Sequence, residues 1–390
     1  MGDMPLAGGF LRKNEFRNEI FIPLRVFICE SCGLVQILDV IDPHILFNSY
    51  CYISSVIPLM KKHFKSYATF LKESYLSKPR SSLLEFGCND GALLEEFLAE
   101  PHIRILGIDP SENVSQMAKA KKIPVITDYF TTKTARTIVQ QYGKMDVVTG
   151  SNVFAHVDDV HEIIKAAKIV LSPEGVFIIE VHYLGSLMKE FQYDTIYHEH
   201  LTYYSVSALK ILFGLQQMRI VDVQMLTMHG GGIRVIACRE DAHHKQKRSV
   251  STILQEEQLR GLSRPDTFTT FGDACKKHRA HLISFLQSIN NKNSSIVGYG
   301  APGRGTMLLN YCQITNAYLD YVVDISPLRY GKYVPGVHLP IYHPRKVKKN
   351  PPNYILILAW NYAESILEQE KELRAQGVQF IIPFPTIGLL

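Results

Sequence analysis

A short run near the middle of the chain carries side chains that can move protons. Tyr197, His198, Glu199 and His200 are consecutive there. Imidazole titrates near neutral pH, a carboxylate can orient it, and a phenol can donate a hydrogen bond to an oxyanion. The run therefore predicts a general base with supporting groups. A metal site at His198 and His200 and an ordinary surface loop are the alternatives, and no further ligand is spaced with the two histidines.

A glycine turn follows the first strand-like run of a regular alternation. Gly87 and Gly91 are separated by three residues. Acidic or amide side chains lie at the end of this strand-like run and at the ends of the strand-like runs that follow it. Glycines let a ligand approach the backbone closely, and ligands of open α/β sheets bind beyond the carboxyl ends of the strands. We predict a nucleoside cofactor, with Asp109 on the ribose hydroxyls and Asp128 near an adenine amino group. The predicted cofactor-binding residues are Glu85, Gly87, Asn89, Gly91, Asp109, Asp128 and Asn152.

Two other interpretations of this turn stay open. In the first, the glycines only form tight turns and the carboxylates only cap helices. In the second, the ligand is a nicotinamide cofactor. The spacing from Gly87 to Gly91 lacks the Gly-x-Gly-x-x-Gly pattern that places a pyrophosphate at a helix N-terminus, so it favours a nucleoside without that group.

A second glycine turn, from Gly298 to Gly303, matches the dinucleotide pattern literally and follows a strand-like run. Pro302 in the turn argues against a dinucleotide. Arg304 lies just inside the next helix, where a guanidinium can hold two phosphate oxygens. Nicotinamide binding, contact with a substrate phosphate or nucleotide, and a purely structural loop are the open alternatives. In the second of these alternatives, the substrate-binding residues are Tyr299, Gly300, Arg304 and Asp324.

Cys29 and Cys32 form a Cys-x-x-Cys-Gly turn near the start of the chain. This spacing is typical of one half of a zinc knuckle, whereas a closed structural zinc site needs four ligands. The two cysteines are therefore candidate metal ligands in an incomplete set.

Strand-like and helical stretches alternate around these residues. Apolar runs separated by helical stretches imply a parallel sheet with helices on both faces. We predict an α/β protein with a doubly wound sheet, a smaller C-terminal Rossmann-like domain and an appended, irregular N-terminal module. The predicted boundaries are 1–56, 57–240 and 241–390, and the predicted strands are 83–86, 103–108, 123–127, 146–149, 176–181, 295–300, 318–323, 354–360 and 380–384. The predicted helices include 160–171 and 363–376.

The composition narrows the class of protein. The 390 residues are 46% hydrophobic and 20% charged, with a formal charge of +5, which is typical of a globular protein of two or three domains. Seven cysteines at irregular spacing favour a reducing cytoplasm. No apolar run approaches the roughly 20 residues that span a bilayer, no signal peptide pattern is present, and no basic stripe is interleaved with aromatic residues. We expect a cytoplasmic protein that binds neither a membrane nor a nucleic acid.

Four segments resemble the sugar C-methyltransferase family, and the first glycine turn resembles the S-adenosylmethionine site of class I methyltransferases. The segments stand in the family's order and span nearly the whole chain. They are Leu-Phe-Asn-Ser-Tyr-Cys-Tyr-Ile-Ser-Ser at 46–55, Ile-Tyr-His-Glu-His-Leu-Thr-Tyr-Tyr-Ser at 196–205, Gly-Gly-Gly-Ile-Arg at 230–234 and Gly-Tyr-Gly-Ala-Pro-Gly-Arg-Gly at 298–305. Members of that family combine a small zinc module, a methyltransferase domain and a C-terminal nucleotide-sugar-related domain.

The resemblance implies roles for individual residues. His200 is the implied base, Glu199 and Tyr197 support it, and Tyr52 reaches the sugar from the N-terminal side. The family's zinc module has a further Cys-x-x-Cys pair upstream, and we expect this chain to begin too late to contain it. Bound zinc is therefore an expectation with an incomplete ligand set.

The implied substrate is a nucleoside-diphosphate keto-deoxysugar, and the implied cofactor is S-adenosylmethionine. A carbon beside a ketone can lose a proton to give an enolate, which is nucleophilic at carbon toward a sulfonium methyl group. This step needs a positioned base and a donor to the enolate oxygen, but no metal. An O- or N-methyltransferase of another small metabolite and a non-catalytic sugar-nucleotide-binding protein are the alternatives.

Overall fold

The computed structural model describes residues 1–42, 46, 53–56, 58–290 and 294–390. Within these ranges the chain forms a two-stranded, a three-stranded, a seven-stranded and a six-stranded sheet. None of the helices in the described ranges is long and apolar enough to span a bilayer. Tyr52 and most of the segment 46–55 lie outside the described residues.

The elements are numbered in chain order. The strands are β1 (Gly2–Pro5), β2 (Phe21–Leu24), β3 (Val26–Ile28), β4 (Val35–Ile37), β5 (Ser81–Phe86), β6 (Ile103–Ile108), β7 (Val125–Ile126), β8 (Met145–Ser151), β9 (Leu171–His182), β10 (Thr202–Tyr203), β11 (Met218–Leu226), β12 (Gly232–Arg239), β13 (Ile296–Tyr299), β14 (Tyr321–Val323), β15 (Ile341–Tyr342), β16 (Tyr354–Ile357), β17 (Gln379–Ile382) and β18 (Gly388–Leu389). The α-helices are α1 (Pro58–Ser74), α2 (Glu112–Ala120), α3 (Thr132–Tyr142), α4 (Val160–Val170), α5 (Leu184–Lys189), α6 (Val206–Gly214), α7 (Arg248–Arg260), α8 (Pro265–Asn290), α9 (Gly303–Cys312), α10 (Arg345–Lys349), α11 (Ala363–Gln369) and α12 (Lys371–Ala375).

The seven-stranded sheet has the order β11-β12-β9-β8-β5-β6-β7. The strands from β5 to β9 run parallel, and β12 is antiparallel to its neighbours β9 and β11. β5 is buried along its whole length because both faces of the sheet are covered. The chain leaves β5 toward β6 and β7 on one side and returns through β8 on the other, so a crevice opens beyond the carboxyl ends of β5 and β8. The predicted doubly wound α/β fold is confirmed.

Successive residues of the central strands face opposite helix layers. Leu83 of β5 packs in the cluster that contains α1, whereas Leu84 packs in the cluster that contains α4. Helix α1 buries an apolar stripe at helical spacing, formed by Phe64, Tyr67, Ala68 and Leu71. This packing holds the carboxyl ends of the strands in fixed positions beneath the candidate site.

The six-stranded sheet repeats the same design on a smaller scale. Its order is β15-β14-β13-β16-β17-β18, and only β18 pairs in the antiparallel direction among these strands. The second glycine turn connects β13 to α9. The long helix α8 buries Leu282, Leu286 and Ile289 in the core of this domain.

The N-terminal segment makes contacts with both of the other predicted domains. β4 pairs with β10, and the amide of Ile37 donates to the carbonyl of Leu201 over 2.9 Å. On its other side, Met4 shares the core of the six-stranded sheet. His338 Nε2 also contacts the carboxylate of Glu19 at 2.7 Å. The segment therefore bridges the region after residue 200 and the C-terminal domain.

The packing of the central sheet can be tested at Gly150, near the end of β8. A Cβ added at Gly150 would overlap the ring of Phe86. We expect Gly150→Ala to lower the free energy of unfolding by about 1 to 3 kcal/mol through overpacking. The matched control is Gly272→Ala, because a Cβ at this position of α8 meets no atom within 4 Å. The control should raise stability by up to about 1 kcal/mol. Urea unfolding measures both, and equal stability of the two variants would contradict this packing.

Candidate active site

The first glycine turn and Asp109 form one hydrogen-bonded unit beyond β5 and β6. The backbone of the turn is left-handed at Gly87, Asn89 and Gly91, with φ of 63°, 50° and 75°. The amide of Asn89 donates to Asp109 Oδ2, and the amide of Ser111 donates to Oδ1, each over 2.9 Å. The side chain of Ser111 makes a third hydrogen bond to this carboxylate. The two oxygens together offer about four lone-pair sites, so Asp109 is fixed in place and can still accept from a ligand.

Glu85 supplies a second buried carboxylate in this crevice. Burial, together with the negative charges of Asp109 and Glu180, raises the pKa of Glu85 well above its usual range. Its Oε2 atom is buried and has no hydrogen-bond partner among the described residues. Burial also raises the pKa of Asp109. Buried carboxylates with open acceptor positions are suited to a ligand that carries hydroxyl and ammonium groups.

The remaining predicted cofactor residues stand at the same edge of the sheet. Asn152 follows β8 with φ of 55°, and its amide donates to the carbonyl of Glu180 over 2.8 Å. Asp128 follows β7 and is exposed, with Oδ1 accepting from the amide of Tyr129 over 2.7 Å. The structure thus brings Glu85, Asn89 and Asp109 into contact range and places Asn152 and Asp128 on either side of them along the edge.

His200 is held by one backbone carbonyl. Its Nδ1 lies 2.8 Å from the carbonyl oxygen of Thr195. A carbonyl only accepts, so Nδ1 carries the proton and Nε2 is left as the basic atom. Burial lowers the pKa of His200 well below its usual range, and nearby His156 acts in the same direction. The imidazole is therefore neutral at physiological pH and can accept a proton.

Two aromatic rings flank this imidazole. The ring centroids of Tyr197 and His200 are 4.0 Å apart, and those of His156 and His200 are 5.0 Å apart in an edge-to-face arrangement. His156 hydrogen-bonds to the backbone of Glu199 and of Asn152, and burial lowers its pKa to about 4. It therefore ties the turn after β8 to the segment of the base. We did not predict His156 as a residue of this site. The available signal was its position shortly after the end of β8, where ligands of such sheets bind.

Glu199 does not orient the imidazole of His200 as the resemblance implied. Its carboxylate faces the amide of Gly8, and burial raises its pKa to about 7. His198 turns the same way, with Nε2 at 3.2 Å from the carbonyl oxygen of Pro23. These two neighbours of His200 contact the N-terminal segment, whereas the carbonyl of Thr195 orients the imidazole of His200.

Metal binding is not supported by the geometry of the described residues. Among them, no three His, Cys, Asp or Glu side chains gather in a way that can hold a metal ion. Cys29 and Cys32 stand in the turn between β3 and β4, where hydrogen bonds from the backbone and thiol of Cys32 lower the pKa of Cys29. The pair does not fit a closed zinc site by itself, because such a site needs four ligands. The same finding leaves the metal alternative for His198 and His200 without support.

The second glycine turn is hydrogen-bonded to the carboxylate of Asp324 in the same way as the first is to Asp109. Asp324 accepts from the amide of Ala301 over 2.6 Å and from that of Ser326 over 2.7 Å. Arg329 Nη1 adds a charged contact at 2.9 Å. The hydroxyl of Tyr299 donates to the buried carboxylate of Glu370 over 2.7 Å. Gly300, with φ of 86°, allows the turn to close. These contacts are internal, so they support the structural alternative for this turn.

Arg304 has protein partners where we predicted a phosphate. Its side chain is buried, with 8% of the residue exposed, and Nη2 donates to Gln192 Oε1 over 3.0 Å. Nε lies 3.6 Å from Asp194 Oδ1, and the guanidinium lies 4.7 Å from the ring centroid of Trp360. Arg304 therefore reaches the segment that holds His200, because Asp194 is the neighbour of Thr195.

Three family models match consecutive parts of the chain: a zinc binding domain at 1–47, a methyltransferase domain at 60–223 and a C-methyltransferase C-terminal domain at 227–385. The chain is 34% identical over 385 residues to the C-methyltransferase NovU of Streptomyces niveus, covering 98% of this chain and 91% of NovU. It is 30% identical over 99 residues to a ubiquinone biosynthesis O-methyltransferase of Bartonella tribocorum, covering 25% of this chain and 39% of that protein. Among solved structures, magnesium protoporphyrin IX methyltransferase from Synechocystis PCC 6803 is similar at 16% identity and a TM-score of 0.35, over 46% of this chain and 79% of that one.

The raised pKa of Glu199 makes stability depend on pH. Between the ordinary value of 4.5 and the folded value of about 7, the folded chain holds a proton that the unfolded chain releases. The wild type should therefore lose stability relative to Glu199→Gln as the pH rises through this window, by on the order of 1 to 3 kcal/mol. Urea unfolding at pH 5 and pH 8 measures the difference. The exposed Glu112→Gln serves as control, and a pH-independent difference for Glu199→Gln would contradict the buried carboxylate.

Proposed function

Because the chain belongs to the C-methyltransferase family, we propose that it transfers a methyl group from S-adenosylmethionine to the carbon beside the ketone of a nucleoside-diphosphate keto-deoxysugar. The observation that carries the proposal is the partly buried hydrogen bond from His200 Nδ1 to the Thr195 carbonyl. It leaves an oriented, neutral base next to a crevice lined by carboxylates. A general base of this kind is what removal of a proton from carbon requires.

The crevice fits the proposed cofactor. S-adenosylmethionine, when bound, supplies an electrophilic methyl group on a positively charged sulfur. Asp109 accepts the ribose hydroxyls in this proposal, because its two oxygens are held rigidly by amides at 2.9 Å. Glu85, whose Oε2 is buried without a partner in the described part of the chain, accepts the ammonium group. A cationic ligand would also lower the pKa values that burial has raised at these two carboxyls.

The base acts through Nε2 of His200. This atom takes the proton from the carbon beside the ketone, and the electron pair moves onto the ketone oxygen to give an enolate. The phenol of Tyr197, whose ring lies against the imidazole, is the proposed donor to that oxygen. The imidazolium and the enolate then carry opposite charges in a buried site, which favours the transfer despite the lowered pKa of His200.

The keto-sugar substrate is supported by the resemblance of four segments and not by a contact in the structure. It is tested by incubating the protein with isotopically labelled S-adenosylmethionine and a panel of nucleotide keto sugars, with mass spectrometry of the products. We expect one added methyl group, located by NMR on the carbon beside the ketone. A label on oxygen or nitrogen would favour the O- or N-methyltransferase alternative. No labelled product would favour a non-catalytic sugar-nucleotide-binding protein.

The cofactor site makes a prediction for Asp109. We expect Asp109→Ala to weaken S-adenosylmethionine binding by roughly 1.5 to 3 kcal/mol, the usual worth of hydrogen bonds to a charged group. Isothermal titration calorimetry measures it. Asp109→Asn keeps one acceptor and should lose less, whereas the exposed Asp273→Asn on α8 should bind as the wild type does. Unchanged affinity of Asp109→Ala would place the cofactor elsewhere.

The base makes a separate prediction. We expect His200→Ala to lower turnover by about two to four orders of magnitude while cofactor and substrate binding persist, because the lost contact belongs to the transition state. Tyr197→Phe should cost less, since water can replace a phenol at the enolate oxygen. Steady-state kinetics measure these effects, with the exposed His102→Ala as the control. Near-normal turnover of His200→Ala would exclude it as the base.

A further inference from the structure

A buried polar network joins the C-terminal domain to the turn that holds the base. Asp194 is fully buried in this turn, which spans Tyr193–Thr195. Its Oδ2 accepts from Trp360 Nε1 over 2.6 Å, and its Oδ1 lies 3.6 Å from Arg304 Nε. Both partners belong to the C-terminal domain, Arg304 at the start of α9 and Trp360 just after β16.

Gln192 forms a second link beside the first. Its Oε1 accepts from Arg304 Nη2 over 3.0 Å and lies 2.8 Å from His182 Nε2 at the end of β9. Its Nε2 donates to the carbonyl of Gly230 over 2.5 Å. One side chain therefore connects both sheets with the glycine turn that precedes β12. A network with this many buried polar contacts specifies one arrangement of its parts.

The turn passes this arrangement to the base. Thr195 follows Asp194 directly, and its hydroxyl and amide both bond to the carbonyl of Gln192, at 2.7 and 3.1 Å. The Thr195 carbonyl is then fixed in direction, and it accepts from His200 Nδ1. A displacement of Asp194 or Gln192 is therefore a displacement of the group that sets the tautomer of the base.

We propose that Arg304 and Trp360 are positioning residues of the methyltransferase reaction, acting through Asp194 and the Thr195 carbonyl on His200. This inference rests on the proposed role of His200 as the base. It assigns the C-terminal domain a function in ordering the site, and it replaces the phosphate contact that we predicted for Arg304.

The energetics favour positioning over stabilisation as the role of this network. Burial raises the pKa of Asp194, and the charge of Arg304 and the hydrogen bond from Trp360 oppose that rise. Bringing a carboxylate and a guanidinium out of water costs about as much as their attraction returns, so such a pair adds little net stability. The pair instead fixes the position of Asp194, because the guanidinium group of Arg304 lies between Gln192 and the Trp360 ring.

The test combines steady-state kinetics with a measurement of the tautomer of His200. The variants are Arg304→Gln, Trp360→Phe and Asp194→Asn, and the control is Lys348→Gln, which removes an ion pair of the same domain to the buried Glu370 at 3.3 Å. We expect kcat to fall about tenfold to a hundredfold in the three variants, because a small misplacement of a catalytic group lowers the rate by about this factor. KM for the nucleotide keto sugar should stay within about threefold of the wild-type value. NMR of ¹⁵N-histidine protein, with the His200 signals assigned by His200→Gln, should show loss of the pure Nδ1–H tautomer.

A double variant separates positioning from folding. Asp194→Asn combined with Arg304→Gln leaves no isolated buried charge, so it should recover any thermal stability that a single variant loses, while kcat stays low. A raised KM with unchanged kcat in Arg304→Gln would overturn the inference in favour of a phosphate contact. An unchanged His200 tautomer in folded variants would overturn it as well, even where methyl transfer is observed. A shifted tautomer in a protein that methylates no keto sugar would support the inference and contradict the proposed function instead.

Discussion

The orientation of the proposed base depends on the hydrogen bond from His200 Nδ1 to the carbonyl of Thr195. Without it, the imidazole would be free to protonate at either nitrogen and to rotate, and its basic atom would have no fixed direction. Burial of His200 has a cost, since it disfavours the imidazolium that would form when the proposed base accepts a proton, whereas the bond to Thr195 acts in the opposite direction. In the proposed reaction, the enolate that forms beside the ring offsets this cost. The site is thus suited to a reaction that separates charge inside the pocket.

Three parts of the chain hold that bond in place. The N-terminal segment pairs β4 with β10 directly after the base, and Glu199 and His198 hold the same segment through Gly8 and Pro23. His156 connects the base to the turn after β8, where the cofactor crevice begins. The C-terminal domain reaches the turn before the base through Asp194. The predicted cofactor crevice depends only on the central sheet, whereas the segment of the proposed base has contacts in all three predicted domains.

Local patterns in the sequence predicted the central sheet. The strand at 103–108 has the predicted bounds, and the helix expected at 160–171 ends one residue earlier as α4. Glycine turns and strand ends are local features, so Asn89 and Asp109 could be placed at the same edge of the sheet from spacing alone, whereas the hydrogen bond between them could not. Short elements were predicted less well: the strand expected at 123–127 is only the two-residue β7. The continuous helix expected near residues 363 to 376 is divided into α11 and α12.

Contacts between distant segments were beyond the reach of the sequence. The pairing of β4 with β10 joins residues more than 160 positions apart through strands of two or three residues, which carry no periodic pattern. An arginine after a glycine turn looks the same in sequence whether it faces a phosphate or a carboxylate, so the contact of Arg304 with Asp194 had no local signal.

The most direct test of the proposal that His200 is the base is deuterium exchange at the carbon beside the ketone. The protein is incubated with the nucleotide keto sugar and S-adenosylhomocysteine in heavy water, and NMR follows the exchange. We expect exchange at that one carbon with the wild type and much slower exchange with His200→Ala, whereas equal exchange by both proteins, or none above buffer, would contradict the proposed role of His200.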